Sequence, residues 1–275
     1  MTVKQILIPI DFSTTSINAL KYGAVMAQKF GAKLQIMHAY HVTASGDTAL
    51  FVNEAMIENH QLLAEGKLKE LAADIPELKT VSYTLSVKFG LTSSCILERL
   101  NIKDIDLVIM GSKGETDLVS KLFGSTTNDI INNANCPVIA IPKEVKAVNW
   151  DNVVMAIDNT DMAIEGPKSW VSYLHEIFGS KFHVVHVNDQ PDQKNYEELF
   201  KPSLQQIFGN IAYRFHTITS NSVERGLIDY MKGLDANVLM IYPRKRHILI
   251  DLFTHKVTKH LCEQMHQPVF AYREG

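Results

Sequence analysis

The chain has 275 residues, 46% of them hydrophobic and 21% charged, with a formal net charge of −3. That is enough for two ordinary domains and too apolar for a disordered chain, and it lacks the basic excess expected of a nucleic-acid binder. No apolar run has the length a bilayer span requires, so neither nucleic acid nor membrane is an expected partner.

The start, "MTVKQILIPIDFS", reads as a strand and a turn. It has no charged head, apolar middle and small-residue cleavage site of the kind a signal peptide carries. Cys95, Cys136 and Cys262 are odd in number and lack metal-ligand spacing. They predict buried thiols in a reducing compartment, hence a cytoplasmic location.

Strand and helix signals then alternate. "QILIPI" (5–10) predicts a strand closing on Asp11, with Ser13 and Thr14 as candidate caps of the next helix. In that helix Ile17, Leu20, Ala24, Ala27 and Phe30 recur at helical spacing, and Gly31 stops it. "KLQIMHAY" (33–40) predicts a second strand, residues 47–74 a partly polar helix, and "VSYTLSV" (81–87) a third strand. "TSSCILERLN" (92–101) predicts a helix and "DLVIMG" (106–111) a fourth strand. A helix to about Ala134 and a fifth strand, "CPVIAIP" (136–142), complete the pattern. Apolar strands alternating with helices imply an α/β fold whose parallel sheet is covered on both faces.

After "KEVKAVNWD" the pattern restarts. "NVVMAIDN" (152–159) echoes the first strand and its aspartate, and "KFHVVHV" (181–187) echoes the second. "NIAYRFHTI" (210–218) and "ANVLMIYP" (236–243) stand where the third and fourth strands stood. Two copies of one fold follow, residues 1–143 and 151–275, packed about a pseudo-two-fold axis as an intramolecular pseudo-dimer. A further homodimer is left open.

The stretch "GSKGETDLVSKLFGST" (111–126) carries the chemistry. Gly111 and Gly114 follow the fourth strand, where bare Cα atoms let main-chain N–H groups approach an anion and permit positive φ. Gly124 precedes a helix, so Ser125, Thr126 and Thr127 offer first-turn N–H groups and hydroxyls, a phosphate site favoured by the helix dipole. Lys113 and Lys121 add positive charge. Asp11 ends the first strand at the same edge, where ligands of open parallel sheets sit. It also has a plainer role open to it, capping the first helix.

The G-x2-G-x9-G-[S/T] spacing, "ILIPIDFS" and "NCPVIAIPK" together resemble the universal stress protein family. The likeness covers residues 1–143, and the second half resembles the family in its framework. The resemblance implies two tandem, doubly wound domains of the adenine-nucleotide alpha-hydrolase-like kind, each with a five-stranded parallel sheet. It implies ATP as the cofactor, with or without Mg2+. Pro9, Ile10 and Asp11 would line the adenosine pocket, and Ala39 would offer main-chain contacts to the base. Met110, Gly111, Lys113, Gly114, Gly124, Ser125 and Thr126 would surround the ribose and phosphates. The last strands, "PVIAIP" and "PVFAY", would pair across the pseudo-dimer.

The second half departs where phosphates would sit. Tyr242 and Lys245 fall in place of Gly111 and Gly114, and Thr254 and His255 replace Gly124 and Ser125. A Cβ at each position would fill the space a phosphate needs, so family-type ATP binding is not expected there. "YPRKRH" (242–247) is either an altered anion site or a solvated loop, the latter being the simpler reading. His183 and His186, like His38 and His41, lie three apart on strands and cannot share a metal. His255, His260 and His266 are spaced too irregularly for one, and Trp150 and Trp170 read as structural.

Two function classes compete. One is a nucleotide-binding stress-response regulator; the other is an enzyme that slowly hydrolyses ATP or phosphorylates itself. Asp11, Glu115 and Asp117 are the available acids and Ser125 or Thr126 the acceptors, but no Walker loop or Rossmann fingerprint is present. That absence favours binding over turnover.

Overall fold

The computed structural model describes residues 1–41, 54–112, 125–158, 164–188, 194–242 and 266–273. Several sequence expectations lie outside these residues: Lys113, Gly114, Glu115, Asp117, Lys121 and Gly124 in the first half, and Arg244 to His247, Thr254, His255, His260 and Cys262 in the second.

The first half runs β1 (Gln5–Ile10), α1 (Thr14–Phe30), β2 (Lys33–Tyr40), α2 (Glu54–Asp74), β3 (Tyr83–Phe89), α3 (Thr92–Leu100), β4 (Leu107–Gly111), α4 (Ser125–Asn133) and β5 (Val138–Ile141). The second runs β6 (Asn152–Ile157), α5 (Glu165–Phe178), β7 (Lys181–Asn188), α6 (Tyr196–Phe208), β8 (Tyr213–Thr219), α7 (Val223–Leu234), β9 (Val238–Ile241) and β10 (Val269–Ala271).

Local chemistry sets the boundaries. Of the two candidate caps of α1, Ser13 takes the role, its hydroxyl accepting from the Ser16 N–H at 3.1 Å. Gly31 and Gly179 end α1 and α5 at φ 66, a left-handed conformation that costs other residues roughly 1–2 kcal/mol. β3 begins two residues later than expected. Pro76–Thr80 forms a 3-10 turn, and Val81 closes it by donating to the Leu78 carbonyl. β8 likewise starts late, because Gly209 caps α6 and the Ile211 N–H turns back to the Phe208 carbonyl.

The strands form one ten-stranded sheet in the order β3-β2-β1-β4-β5-β10-β9-β6-β7-β8. All neighbours are parallel except β5 and β10, which pair antiparallel with Val269 opposite Ala140 and Ala271 opposite Val138. The two halves therefore share one strand order and meet through their last strands. Helices α1, α2, α5 and α6 cover one face of the sheet; α3, α4 and α7 cover the other. Both faces of the central strands are buried, which is why these strands are apolar throughout rather than alternating. Cys95 and Cys136 are free and buried, and burial pushes the Cys136 thiol up to about 12.

The connection from β5 to β6 is pinned to α1. The Asn18 amide donates to the carbonyls of Pro142 and Val145, and the Trp150 indole N–H donates to the Tyr22 hydroxyl at 2.7 Å. The Trp150 ring stacks on Phe178 of α5 and meets Phe270 of β10 edge-on, while Phe30 of α1 packs on Tyr173 and Phe178. One aromatic cluster thus joins both halves on the α1/α5 face. Trp150→Ala is expected to cost ~3–5 kcal/mol and Tyr22→Phe ~1–3 kcal/mol, the latter by stranding the indole N–H; denaturant midpoints measure both.

Candidate functional site

The carboxyl ends of β1, β2 and β4 lie side by side, with Gln5–Ile10 parallel to Lys33–His38 and Ile6 opposite Leu107. Pro9, Ile10, Met110 and Gly111 are buried at these ends, Asp11 and Ala39 are half-buried, and α4 starts at Ser125 near the same edge. Ser125 is exposed and Thr126 half-buried, and the first turn of α4 contains no acidic residue. Its N–H groups and hydroxyls therefore face no carboxylate of their own turn, which suits an anion. The structure brings together the described members of the expected site: Pro9, Ile10, Asp11, Ala39, Met110, Gly111, Ser125 and Thr126. Lys113, Gly114 and Gly124 lie outside the described residues.

Two details differ from expectation, and one role left open is filled. Gly111 does not adopt positive φ. A Cβ there would instead stand 3.0 Å from the Thr15 backbone carbon and 3.1 Å from the Ser16 nitrogen, so the first turn of α1 is what requires glycine at this position. Thr127 does not offer its hydroxyl to a ligand; it is buried and donates to the Gly111 carbonyl at 2.9 Å. Asp11 does join the α1 turn, its Oδ1 accepting from the Ser13 N–H at 3.0 Å.

Sequence reasoning missed two supporting residues. The His38 Nδ1 lies 2.7 Å from the Ile10 carbonyl, tying the end of β2 to the end of β1. Phe12, directly after Asp11, holds φ 64, a conformation that strains a non-glycine residue. Its ring packs on His38 at 4.6 Å, with the Lys67 ammonium 6.0 Å from its centroid. The "DFS" turn signalled a helix cap but not this packing, which depends on the β1–β2 register.

The second half keeps the frame and puts a large side chain at the matching strand end. Ile6 faces Leu107 and Val153 faces Val238, so Tyr242 occupies the place of Gly111. The Tyr242 hydroxyl is buried with no hydrogen-bond partner among the described residues, and its ring meets Tyr272 edge-on at 6.3 Å. Gly166 of α5 makes room for the Tyr272 ring, which any side chain there would strike. Counted back from the capping glycines, α1 starts 17 residues before Gly31 but α5 only 14 before Gly179. Among the described residues α5 thus begins three positions later than α1 does. The histidine clamp is retained: the His186 Nδ1 lies 3.2 Å from the Ile157 carbonyl, as His38 does from Ile10.

His183 and His186 point to opposite faces, as their spacing predicts. His183 meets Tyr230 of α7 at 3.4 Å and stacks near His216, with ring centroids 5.9 Å apart; His186 packs on Tyr196 and Phe200 of α6. By strand register His183 and His216 replace Gln35 and Ser86 of the first half. Among the described residues no group of three His, Cys, Asp or Glu side chains could hold a metal, and no helix is long and apolar enough to cross a membrane.

A mostly parallel α/β sheet, doubly covered and repeated in two halves, defines a class of doubly wound folds. Within that class, the chain belongs to the universal stress protein family, whose model matches residues 2–142. A universal stress protein of Methanocaldococcus jannaschii is 30% identical over 149 residues, spanning 52% of this chain and 84% of its own. Universal stress protein A homolog 1 of Coxiella burnetii is 28% identical over 144 residues, spanning 51% of this chain and 97% of its own. The crystal structure of a universal stress protein from Archaeoglobus fulgidus matches the fold end to end, covering 100% of both chains with a TM-score of 0.78 at 17% identity.

Two outcomes follow from the geometry. Gly111→Ala is expected to destabilise the protein by about 1–3 kcal/mol, because backbone rather than a movable side chain receives the new methyl; denaturant unfolding measures it. Burial, and then the positive charge of Arg214, hold His216 below the usual histidine value; burial, His216 and Arg214 do the same to His183. Unfolded histidines titrate near about 6.5, so on acidification the unfolded chain takes up protons before the folded one does. Stability contributed by the two neutral rings is full above that pH and is lost as pH falls below it. The denaturation midpoint should drop between pH 7 and 5, and His183→Gln with His216→Ser, the first half's residues, should flatten that drop.

Proposed function

We propose that this chain is an ATP-binding, cytoplasmic regulator of the stress response, made of domains 1–143 and 151–275, with nucleotide held by the first alone. The observation that carries the reading is the contrast at one strand end. Gly111 ends β4 without a side chain, against the first turn of α1 and beside the start of α4, whereas β9 carries Tyr242 at the matching place. Family membership and the intact 111–126 signature support ATP as the ligand.

In this reading the Ser125 and Thr126 hydroxyls and the first-turn N–H groups of α4 hold phosphate oxygens, with the helix dipole adding to the attraction. Lys113 of the signature supplies countercharge, and Met110, Gly111, Gly114 and Gly124 line the ribose and phosphates. Pro9 and Ile10 are buried, so they shape the adenosine end through the chain path rather than through their side chains. Ala39 offers its main chain to the base, and His38 and Phe12 keep Asp11 where β1 ends. Bound ATP, with or without Mg2+, supplies a charged triphosphate whose presence alters partner affinity. The fused halves act as one unit, an intramolecular pseudo-dimer joined through β5 and β10.

Nucleotide extracted from freshly purified protein, and calorimetric titration of the full chain, should give about one ATP per chain. Gly124→Val should abolish it, while Ser125→Ala should retain it. Two equivalents per chain, or ATP retained by the Gly124→Val protein, would overturn the assignment. ATP turnover that disappears in the Ser125→Ala protein while binding persists would favour the enzymatic reading.

A further inference from the structure

His38 is committed to the frame through one ring nitrogen only. Its Nδ1 lies 2.7 Å from the Ile10 carbonyl oxygen, and a carbonyl only accepts, so Nδ1 carries the proton and donates. The neutral ring therefore keeps its lone pair on Nε2, which can act as an acceptor and nothing else. Among the described residues no group donates to that nitrogen. Register sets His38 opposite Ile10, the last residue of β1. The ring thus bridges the two strand ends that continue into Asp11 and Ala39, the adenosine end of the proposed site.

The second half repeats the clamp and covers it. The His186 Nδ1 faces the Ile157 carbonyl, but His186 is only 5% exposed, with the rings of Tyr196 and Phe200 at 4.3 and 5.1 Å. Both rings come from the start of α6. Among the described residues of α2 the first buried one is Ala64, whereas in α6 it is Phe200, and α2 brings no aromatic ring to His38. Only Phe12 packs on His38 among the described residues, and His38 stays half-buried. His186 is a packed structural ring. His38 has an acceptor to spare at the end of the sheet where a base would lie.

An acceptor selects for an N–H. Adenine carries an exocyclic amino group where guanine carries a carbonyl oxygen, and two acceptors placed face to face repel. A site built to bond such a group also rejects a ligand that lacks it, since its own polar atom is then left unpaired.

We infer that His38 is the side chain that selects adenine, its Nε2 accepting a hydrogen bond from the exocyclic amino group of the bound nucleotide. This rests on the proposed ATP site and adds base choice to it. The test is calorimetric titration of the full chain with ATP and with purine riboside triphosphate, which lacks that amino group alone. It is run at pH 8, above the ordinary histidine range of about 6.5. The unaltered protein should bind ATP about tenfold more tightly, the worth of one good hydrogen bond. In NMR the nitrogen resonance of His38 Nε2 should shift with ATP and not with purine riboside triphosphate.

His38→Asn keeps a donor near the Nδ1 position for the Ile10 carbonyl and has nothing at the Nε2 position, so it should bind the two nucleotides equally. His38→Gln puts an amide oxygen near the Nε2 position and should keep the preference. Equal affinities in the unaltered protein, an Nε2 resonance that ignores ATP, or a preference unchanged in the His38→Asn protein overturns the inference and leaves ATP binding standing. A preference lost in both variants assigns His38 a structural role and overturns it as well. A chain that takes up no ATP at all removes the site itself, and this contact with it.

Discussion

The architecture hangs on three residues of antiparallel pairing in an otherwise parallel sheet. Val138, Ile139 and Ala140 of β5 face Ala271, Phe270 and Val269 of β10, all of them buried. Parallel sheets need both faces covered and leave two open edges. Joining the last strands removes one such edge from each half and sets the halves in opposite directions. The aromatic cluster around Trp150 and Phe270 then fills the seam on the α1/α5 face. Because Trp150 sits in the connecting segment and bonds to α1, the link between the halves is part of the core.

With the frame held in common, the halves differ at the carboxyl ends of their strands. The histidine clamps, His38 on Ile10 and His186 on Ile157, show that the strand ends themselves have not shifted. What changed is side-chain volume. Glycine at 111 admits the first turn of α1, whereas Tyr242 packs against Tyr272, which is lodged over Gly166.

Element order, the parallel sheet and the repeat were legible from apolar runs and their spacing, since each is a local or periodic property; the pairing of the last strands came only with the family resemblance. The starts of β3 and β8 were displaced by short turns whose hydrogen bonds involve main chain alone, which composition does not signal. At the candidate site, the grouping of Asp11, Ala39, Gly111 and Ser125 follows from where strands end. Positive φ at Gly111 was a misreading, and its contact with Thr15 and Ser16 was not legible because it depends on how α1 packs on β4. Thr127 was misread for the same kind of reason. The roles of Phe12 and His38 depend on the β1–β2 register, which no single segment encodes.

The covalent seam also changes how such a molecule can vary over generations. In a symmetric pair of identical chains every altered codon appears twice, once on each side of the axis. Here Trp150 and the segment around it hold two separately inherited copies of one frame together. A glycine can persist at the end of β4 while a tyrosine stands in the matching place at β9, and the scaffold carries both without either having to serve two masters.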